Sequence, residues 1–104
     1  MAVTTLAGRA VHVDEEGFLT VYDEWDEELA KTLAANIGIE LTEEHMKAIR
    51  FMRDDFKATG ETPTLRRVTN AGGFPTKLLF ELFPKKPAKK MSYIAGLQKP
   101  VGCV

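Results

Sequence analysis

The sequence has very little cysteine: among 104 residues, only Cys103 carries a thiol. A single thiol cannot form a disulfide within the chain, so its sulfur chemistry must involve another molecule. Long apolar runs are also missing, since no more than three apolar residues occur in succession. This pattern argues against a membrane span and against the apolar region of a signal peptide. We therefore expect a soluble, cytoplasmic protein.

Patterns typical of metal or nucleotide binding are absent from the sequence as well. The two histidines, His12 and His45, have no companions at metal-ligand spacing, and there is no cysteine pair. No glycine-rich phosphate loop follows a predicted strand, and no Ser/His/Asp set is evident. We expect no metal site and no bound cofactor.

The charges are divided unevenly along the chain. The formal net charge is −1, but residues 1–61 carry fourteen acids and six lysines or arginines, while residues 62–104 carry eight bases and one acid, Glu81. One interpretation is a C-terminal face that meets an acidic or nucleic-acid partner. The other is that the two halves neutralise each other on one folded surface. The sequence leaves both open.

The N-terminal part predicts a β-hairpin over residues 9–22. Two β-prone runs, 10–13 and 18–21, flank an acidic turn that ends at Gly17. A lone hairpin is marginally stable in water, so it must pack on helices. A chain of this length and composition is enough for one domain with a single core.

Two helices are predicted next. The first begins after the N-cap residue Asp26 and buries three apolar residues spaced four apart: Leu29, Leu33 and Ile37. The second begins after Thr42 and ends before Gly60. Its apolar residues repeat at three- and four-residue steps and predict a buried stripe of Met46, Ile49, Met52 and Phe56.

Three shorter helices are predicted in the C-terminal half. The first starts at Thr62 and Pro63, the second runs from Pro75 to Leu82, and the last covers about residues 86–95 with Met91 and Ile94 as anchors. The predicted fold is mainly α with a small β-hairpin (α+β): an orthogonal bundle of about five helices. We expect a globular domain over residues 1–95 and a flexible C-terminal arm over residues 96–104.

Residues 62–82 also have the outline of a helix-turn-helix. The second of these helices is mostly Leu and Phe, with only Lys77 and Glu81 to offer a DNA groove, and it is expected to be buried. Arg66 and Arg67 can meet phosphates but carry no sequence information. Direct DNA binding is therefore not expected.

The last nine residues suit an extended arm. Pro100 removes a backbone donor and favours an extended Lys99, while Gly96 and Gly102 allow close backbone approach. Nine extended residues span about 30 Å, enough to reach into another protein. From the residues alone, an arm that presents Cys103 and a frayed tail with an incidental cysteine both remain open.

Several stretches resemble the DsrC/TusE family. The clearest are Leu82–Lys90 and Ile94–Val104, and earlier pieces are Glu16–Leu19, Leu41–His45 and Arg50–Asp54. The family includes the gamma-type partner of dissimilatory sulfite reductase and a carrier in the sulfur relay to tRNA thiouridine. The resemblance implies the same helical fold and implies that the penultimate residue, Cys103, carries sulfur.

Three positions depart from the family pattern. Family members that work with sulfite reductase have a second cysteine eleven positions before the last one, where this chain has Ser92. Gln98 replaces a usual proline, which should loosen the arm because a fixed φ is lost. Lys86 replaces a usual glycine. Ser92 favours the relay-type branch, whereas Gly102–Val104 looks more like the sulfite-reductase branch.

Two functions follow as expectations. The first is a sulfurtransferase-type carrier, rather than a stand-alone enzyme, that takes a persulfide sulfur on Cys103 from a protein donor and delivers it to a protein acceptor. The second is a non-catalytic gamma-type or regulatory subunit of a sulfite reductase. A basic platform of Lys85, Lys86, Lys89 and Lys90, with Lys99 on the arm, would dock the partner; the alternative is a solvated helix face.

The electrostatics of the arm bear on the reactivity of the thiol. The free carboxylate of Val104 disfavours a neighbouring thiolate, and Lys99 is the only nearby cation in the sequence. We therefore expect the partner's pocket to activate Cys103. The protein is expected to be a monomer that forms a Cys103-linked dimer on oxidation.

Overall fold

A computed structural model describes residues 2–99. It begins with an antiparallel hairpin of β1 (Ala2–Leu6) and β2 (Arg9–Val13), in which Ala2 lies opposite Val13. Ala7 and Gly8 form the turn, both with positive φ, 51° and 75°. A two-residue turn of this kind matches the twist of the paired strands, and glycine adopts it without strain.

The hairpin predicted over residues 9–22 is therefore correct in one strand and wrong in the other. Residues 18–21 form only a single bridge, between Leu19 and Val13. The predicted turn exists, because the Asp14 carboxylate accepts hydrogen bonds from the backbone amides of Glu16 and Phe18, both at 2.9 Å. The true partner, β1, is short and largely exposed, so its sequence shows no buried alternation.

Within residues 2–99, the rest of the chain forms five α-helices and a short 3₁₀ helix. The 3₁₀ helix is Tyr22–Glu24, and the α-helices are α1 (Glu27–Asn36), α2 (Glu43–Thr59), α3 (Leu65–Gly72), α4 (Thr76–Leu82) and α5 (Pro87–Ile94). This confirms the predicted fold class, a helical bundle with an N-terminal hairpin.

Helix α1 connects the hairpin to the bundle because two of its sides are buried. Leu29 and Leu33 pack with the hairpin residues Val11 and Val13. Ala30 and Ala34, one position further along the helix, belong to the larger core formed by the other helices. The predicted N-cap is confirmed, since the Asp26 carboxylate accepts a hydrogen bond from Leu29 N at 2.8 Å. Ile37 is only half-buried, contrary to its predicted place in the stripe.

Helix α2 supplies more residues of the main core than any other element. Met46, Ile49 and Met52 are buried as predicted. Phe56 is not fully buried; it lies at the edge and stacks on Tyr22, with ring centroids 5.5 Å apart. Thr42 caps the helix, and the ring of His45 completes a capping box by accepting from Thr42 N at 3.1 Å.

The short helices differ from the prediction mainly at one boundary. Helix α3 is capped by Thr64, which accepts from Arg67 N at 3.1 Å, and not by Thr62. Pro63 lies just before the cap and is buried. In α4, Leu79 is buried but Phe80 is 48% exposed, so this helix is less buried than expected. In α5, both anchors, Met91 and Ile94, are fully buried.

Candidate functional site: the end of helix α5 and the lysine groove

Helix α5 positions most of the predicted site residues. It starts at Pro87, where a missing backbone donor costs nothing in a first turn, and its buried side holds it against the core. Lys89 and Lys90 lie in its first turn, and Lys85 and Lys86 lie in the turn before it. Lys85 has a φ of 63°, a left-handed conformation that is unfavourable for a residue with a side chain.

The four lysines Lys85, Lys86, Lys89 and Lys90 share one surface groove, which we call the lysine groove. Its volume is about 450 Å³, and Glu16, Phe18, Ile37 and Tyr93 complete its lining. Phe18 is only 2% exposed and meets the half-buried Tyr93 ring edge-on at 5.7 Å, so Tyr93 supplies the exposed aromatic surface beside the lysines. The structure therefore brings together the four lysines of the platform predicted from the sequence.

Few described carboxylates neutralise these lysines. Glu16 lies 3.8 Å from Lys89 Nζ, and Lys90 Nζ donates to the backbone carbonyl of Pro84. No carboxylate among residues 2–99 lies within ion-pair distance of Lys85 or Lys86. As far as residues 2–99 are concerned, the amino groups of Lys85 and Lys86 are therefore available to an external anion.

Ser92, where the family resemblance leads us to expect a second cysteine, is inside the protein. Its side chain is fully buried, and its Oγ donates to the backbone carbonyl of Ala88 at 2.7 Å. A hydroxyl in this position is satisfied by the preceding turn of its own helix, so it has no need of solvent. A reactant on the arm could meet this position only if α5 or its surroundings moved.

The end of α5 is held by its own turn and by two other elements. Gly96 has a φ of 69°; Gly96 N donates to Tyr93 O and Leu97 N donates to Ser92 O. These two bonds form a Schellman motif, which ends a helix at a left-handed glycine. Beyond the helix, Trp25 Nε1 donates to Ile94 O at 2.8 Å and Arg53 Nη1 donates to Ala95 O at 2.7 Å.

Four residues of the predicted arm are described, and they divide into two pairs. Gly96 and Leu97 are buried, with Leu97 only 2% exposed. Gln98 and Lys99 are exposed: Thr62 Oγ1 donates to Gln98 O at 2.9 Å, and Lys99 Nζ lies 3.3 Å from both oxygens of Glu16. Cys103 lies outside the described residues, so its predicted role stays a prediction.

Other site types find no support in the described part of the chain. Residues 2–99 contain no group of three or more His, Cys, Asp or Glu side chains able to hold a metal ion. The two histidines are instead engaged in ordinary contacts. His12 pairs with Glu24 at 2.8 Å, and His45 bonds to Thr42 and to Leu82 O. None of the described helices is both long and apolar enough to cross a bilayer.

The family model for DsrC-like proteins matches residues 5–104, nearly the whole chain. This chain belongs to the DsrC-like family. It is 39% identical over 105 residues to the gamma subunit of the dissimilatory-type sulfite reductase of Nitratidesulfovibrio vulgaris, covering all of both chains. It is 38% identical over 104 residues to the sulfurtransferase TusE of Escherichia coli, covering 93% of this chain and 95% of that one.

The fold agrees with a solved DsrC structure. The NMR structure of Allochromatium vinosum DsrC matches with a TM-score of 0.82 and 36% identity, over 98% of this chain and 97% of that one. The family predicted from the sequence is therefore confirmed. Family membership alone does not show whether this DsrC-like chain functions as the sulfite reductase gamma subunit or as TusE, since its identities to these two relatives differ by one percentage point.

Sequence reasoning did not identify several residues of the site. Glu16 and Arg53 belong to stretches that supported the family resemblance, but nothing in the spacing of these two residues or of Trp25 shows that they approach α5. Their contacts join residues 42 to 83 positions apart in the chain. The feature that distinguishes Arg53 is its burial between aromatic rings, and this is visible only in the folded structure.

Proposed function

We propose that this protein is a sulfur carrier that holds a sulfane sulfur on Cys103 and passes it between proteins. The similarity to TusE, a sulfurtransferase, over nearly the whole chain carries this proposal. Cys103 is the only thiol in the sequence, and it lies one residue from the C-terminus, beyond the fixed end of α5. The folded body acts as the support, and the last residues present the thiol.

The loading step balances without an added oxidant. The Cys103 thiolate attacks the outer sulfur of a persulfide on the donor protein. A new S–S bond forms to Cys103 as the S–S bond of the donor breaks, and the donor cysteine leaves as a thiolate. Delivery repeats the same exchange, with an acceptor thiolate attacking the outer sulfur on Cys103. With Ser92 in place of a second cysteine, no sulfur bridge can form between Cys103 and position 92 of α5.

The lysine groove serves as the docking surface in this proposal. Lys85 and Lys86 have no carboxylate partner among residues 2–99, and the half-buried Tyr93 lines the same groove. This combination fits a partner segment that presents carboxylates beside an apolar side chain. The groove adjoins the arm, because Glu16 contacts both Lys89 and Lys99. A partner bound here would therefore lie close to the start of the arm.

A second function is favoured by a specific comparison. The chain is as similar to the gamma subunit of a dissimilatory sulfite reductase as it is to TusE. In this alternative the protein is a binding subunit of a sulfite reductase, and Cys103 is not essential for association. The two functions share the fold and the groove but differ in their need for the thiol.

Intact-mass measurement after incubation with a persulfide donor tests the carrier directly. The unchanged chain should gain the mass of one sulfur atom, and Cys103→Ser should gain none. Binding to the remaining subunits of a dissimilatory sulfite reductase provides the comparison. If Cys103→Ser binds normally and the unchanged chain takes up no sulfur, the carrier function is wrong and the binding subunit is favoured.

The docking surface is tested by charge reversal with a matched control. Lys85→Glu with Lys86→Glu should weaken partner binding, and added salt should weaken binding of the unchanged chain, because exposed charges are screened. Lys47→Glu with Lys57→Glu changes the net charge equally on the exposed side of α2. Equal loss of binding in both pairs would assign the effect to net charge and not to the groove.

A further inference from the structure

Every backbone carbonyl from Met91 to Ala95 has a donor, although a helix end normally leaves its last carbonyls open. The backbone amides of Ala95, Leu97 and Gly96 donate to Met91 O, Ser92 O and Tyr93 O, respectively. The remaining two carbonyls, on Ile94 and Ala95, receive side-chain donors from distant elements. The last turn before the arm is thus fastened to two other parts of the fold.

Arg53, on α2, is the central residue of this fastening. It is only 8% exposed, and its guanidinium carbon lies 3.9 Å from the Tyr22 ring centroid and 4.1 Å from that of Trp25. Besides Ala95 O, it donates to Tyr22 O at 2.9 Å, so one cation joins α2, the 3₁₀ helix and the end of α5. Burial lowers the pKa of Arg53, which nevertheless stays charged because an arginine loses its proton only at very high pH.

Trp25, which stacks against Arg53, holds the same turn. Its indole donates to Ile94 O, and its ring lies against Gly96 so closely that a Cβ on Gly96 would be 2.5 Å from Trp25 Cδ1. The glycine is therefore needed both for its positive φ and for the space that the indole occupies. Arg53 and Trp25 together form what we call the arm clamp.

The contacts change character immediately after the clamp. Leu97 is buried, but the described contacts of Gln98 and Lys99 are exposed: one threonine hydroxyl and one surface ion pair. Surface ion pairs contribute about 0–1 kcal/mol and yield readily. Among residues 2–99, the last firmly held point is therefore Leu97, and the clamp determines where that point lies.

We propose that Arg53 and Trp25 are positioning residues that fix the point and direction of the chain at Gln98, where the segment that carries Cys103 begins, and so favour transfer from Cys103 to a partner. This inference rests on the proposed carrier function. Neither side chain belongs to the lysine groove. The clamp acts on the base of the arm, through two backbone carbonyls, and takes no part in the sulfur exchange itself.

Distance measurements on the arm test the clamp without any sulfur. Spin labels are placed on Cys103 and on an introduced cysteine, Lys47→Cys, at an exposed position of α2. Arg53→Lys keeps the charge but loses the planar fork that reaches two carbonyls. We expect it to broaden and shift the distance distribution. Arg50→Lys is the matched control, three residues away on the same helix, where the fork binds Glu27 and Glu43 at the surface.

Sulfur transfer provides the functional readout. Cyanide removes the outer sulfur from loaded Cys103 as thiocyanate, and this small acceptor should react equally fast with every variant. Transfer to a protein acceptor should fall by about ten- to a hundred-fold in Arg53→Lys, because misplacement by an ångström or so costs rate on this scale. Trp25→Phe keeps an aromatic ring but loses the indole donor. It should likewise react normally with cyanide and slowly with the protein acceptor.

The outcomes separate this inference from the carrier function. A folded Arg53→Lys with an unchanged distance distribution would overturn the clamp, as would equal losses with cyanide and with the protein acceptor. If Arg53→Lys fails to fold, Trp25→Phe decides by the same two measurements. If the unchanged chain accepts no sulfur, the carrier function fails, and the distance distributions still test the clamp.

Discussion

Ser92 shows at the scale of one residue how burial limits the chemistry of the arm. Its hydroxyl is fully buried and bonded within α5, so a thiol placed there would be shielded from solvent. Cysteine packs well in such places, behaving as a small apolar side chain. A second cysteine at this position would therefore be stable but would need local opening before it could react with Cys103.

Ser92→Cys should consequently contain two thiols of unequal reactivity. We expect the introduced thiol to react with an aromatic disulfide reagent far more slowly than Cys103, whose rate the unchanged chain provides as the reference. Denaturant should make the two rates equal. Mild oxidation should give Cys103-linked dimers before any internal bridge. Equal native rates would show that α5 opens easily and that the burial seen at Ser92 is transient.

Glu24 provides a pH-dependent contribution to stability. His12 N donates to its carboxylate at 2.8 Å, and this backbone hydrogen bond, with the contact to the His12 ring, holds the Glu24 pKa below its usual value of 4.5. A carboxylate whose pKa is lower in the folded than in the unfolded state stabilises the protein at pH values above its unfolded-state pKa. This contribution is lost as the pH falls through the folded-state pKa.

Glu24→Gln should therefore be less stable than the unchanged chain at pH 7, and the difference should shrink as the pH falls below about 4.5. Thermal melts at pH 7 and at several acidic values measure it. Glu40→Gln, a control at an exposed position, should be as stable as the unchanged chain at every pH. A constant gap between Glu24→Gln and the unchanged chain down to pH 3 would contradict the assignment.

At the scale of elements, α2 allows the predicted stripe to be tested position by position. Met52 is fully buried, so Met52→Ala should cost about 2–5 kcal/mol. Phe56 is only half-buried against Tyr22, so Phe56→Ala should cost about 1–2 kcal/mol, below the range for a buried phenylalanine. Urea melts measure both losses. A larger loss at Phe56 than at Met52 would mean that the stripe has been assigned to the wrong face.

The elements also show how far sequence patterns reach. Local signals located α1, α2 and α5 well, because caps such as Asp26 and Thr42 and apolar repeats lie within a few residues of each other. The strand β1 gives no sequence signal because it is almost entirely exposed. The predicted start of α3 is two residues early because both Thr62 and Thr64 can cap a helix. The lysine groove was partly predictable, since its four lysines lie within six positions.

The arm clamp was not predictable, because Arg53 and Trp25 reach α5 across 42 and 69 positions of sequence. In the sequence, Arg53 resembles any cation on the polar side of an amphipathic helix. Arg50, three residues earlier, is such a surface residue. Only the packing of the 3₁₀ helix against α2 distinguishes the two arginines.

At the scale of the whole molecule, the division between body and arm can be located by two truncations. A chain that ends after Leu97 loses two exposed contacts among the described residues, those of Gln98 and Lys99. Such contacts contribute little, so the melting temperature should change by less than about 4 °C. Both this chain and a shorter one lack Cys103, and neither should accept sulfur.

The shorter truncated chain, which ends after Ala95, shows where the folded body ends. It also loses the burial of Leu97 and both hydrogen bonds of the Schellman motif, made by Gly96 N and Leu97 N. Burying a leucine is worth about 1.5–3 kcal/mol, which corresponds to a drop of roughly 10 °C or more in a domain of this size. Thermal melts of the two truncations therefore place the boundary between Leu97 and Gln98 if only the shorter chain is destabilised. If both truncated chains melt near the melting temperature of the full chain, the arm begins at Gly96, as the sequence predicts. If both lose their cooperative transition, residues 98–104 are part of the fold, and the idea of a carrier with a separable arm is wrong.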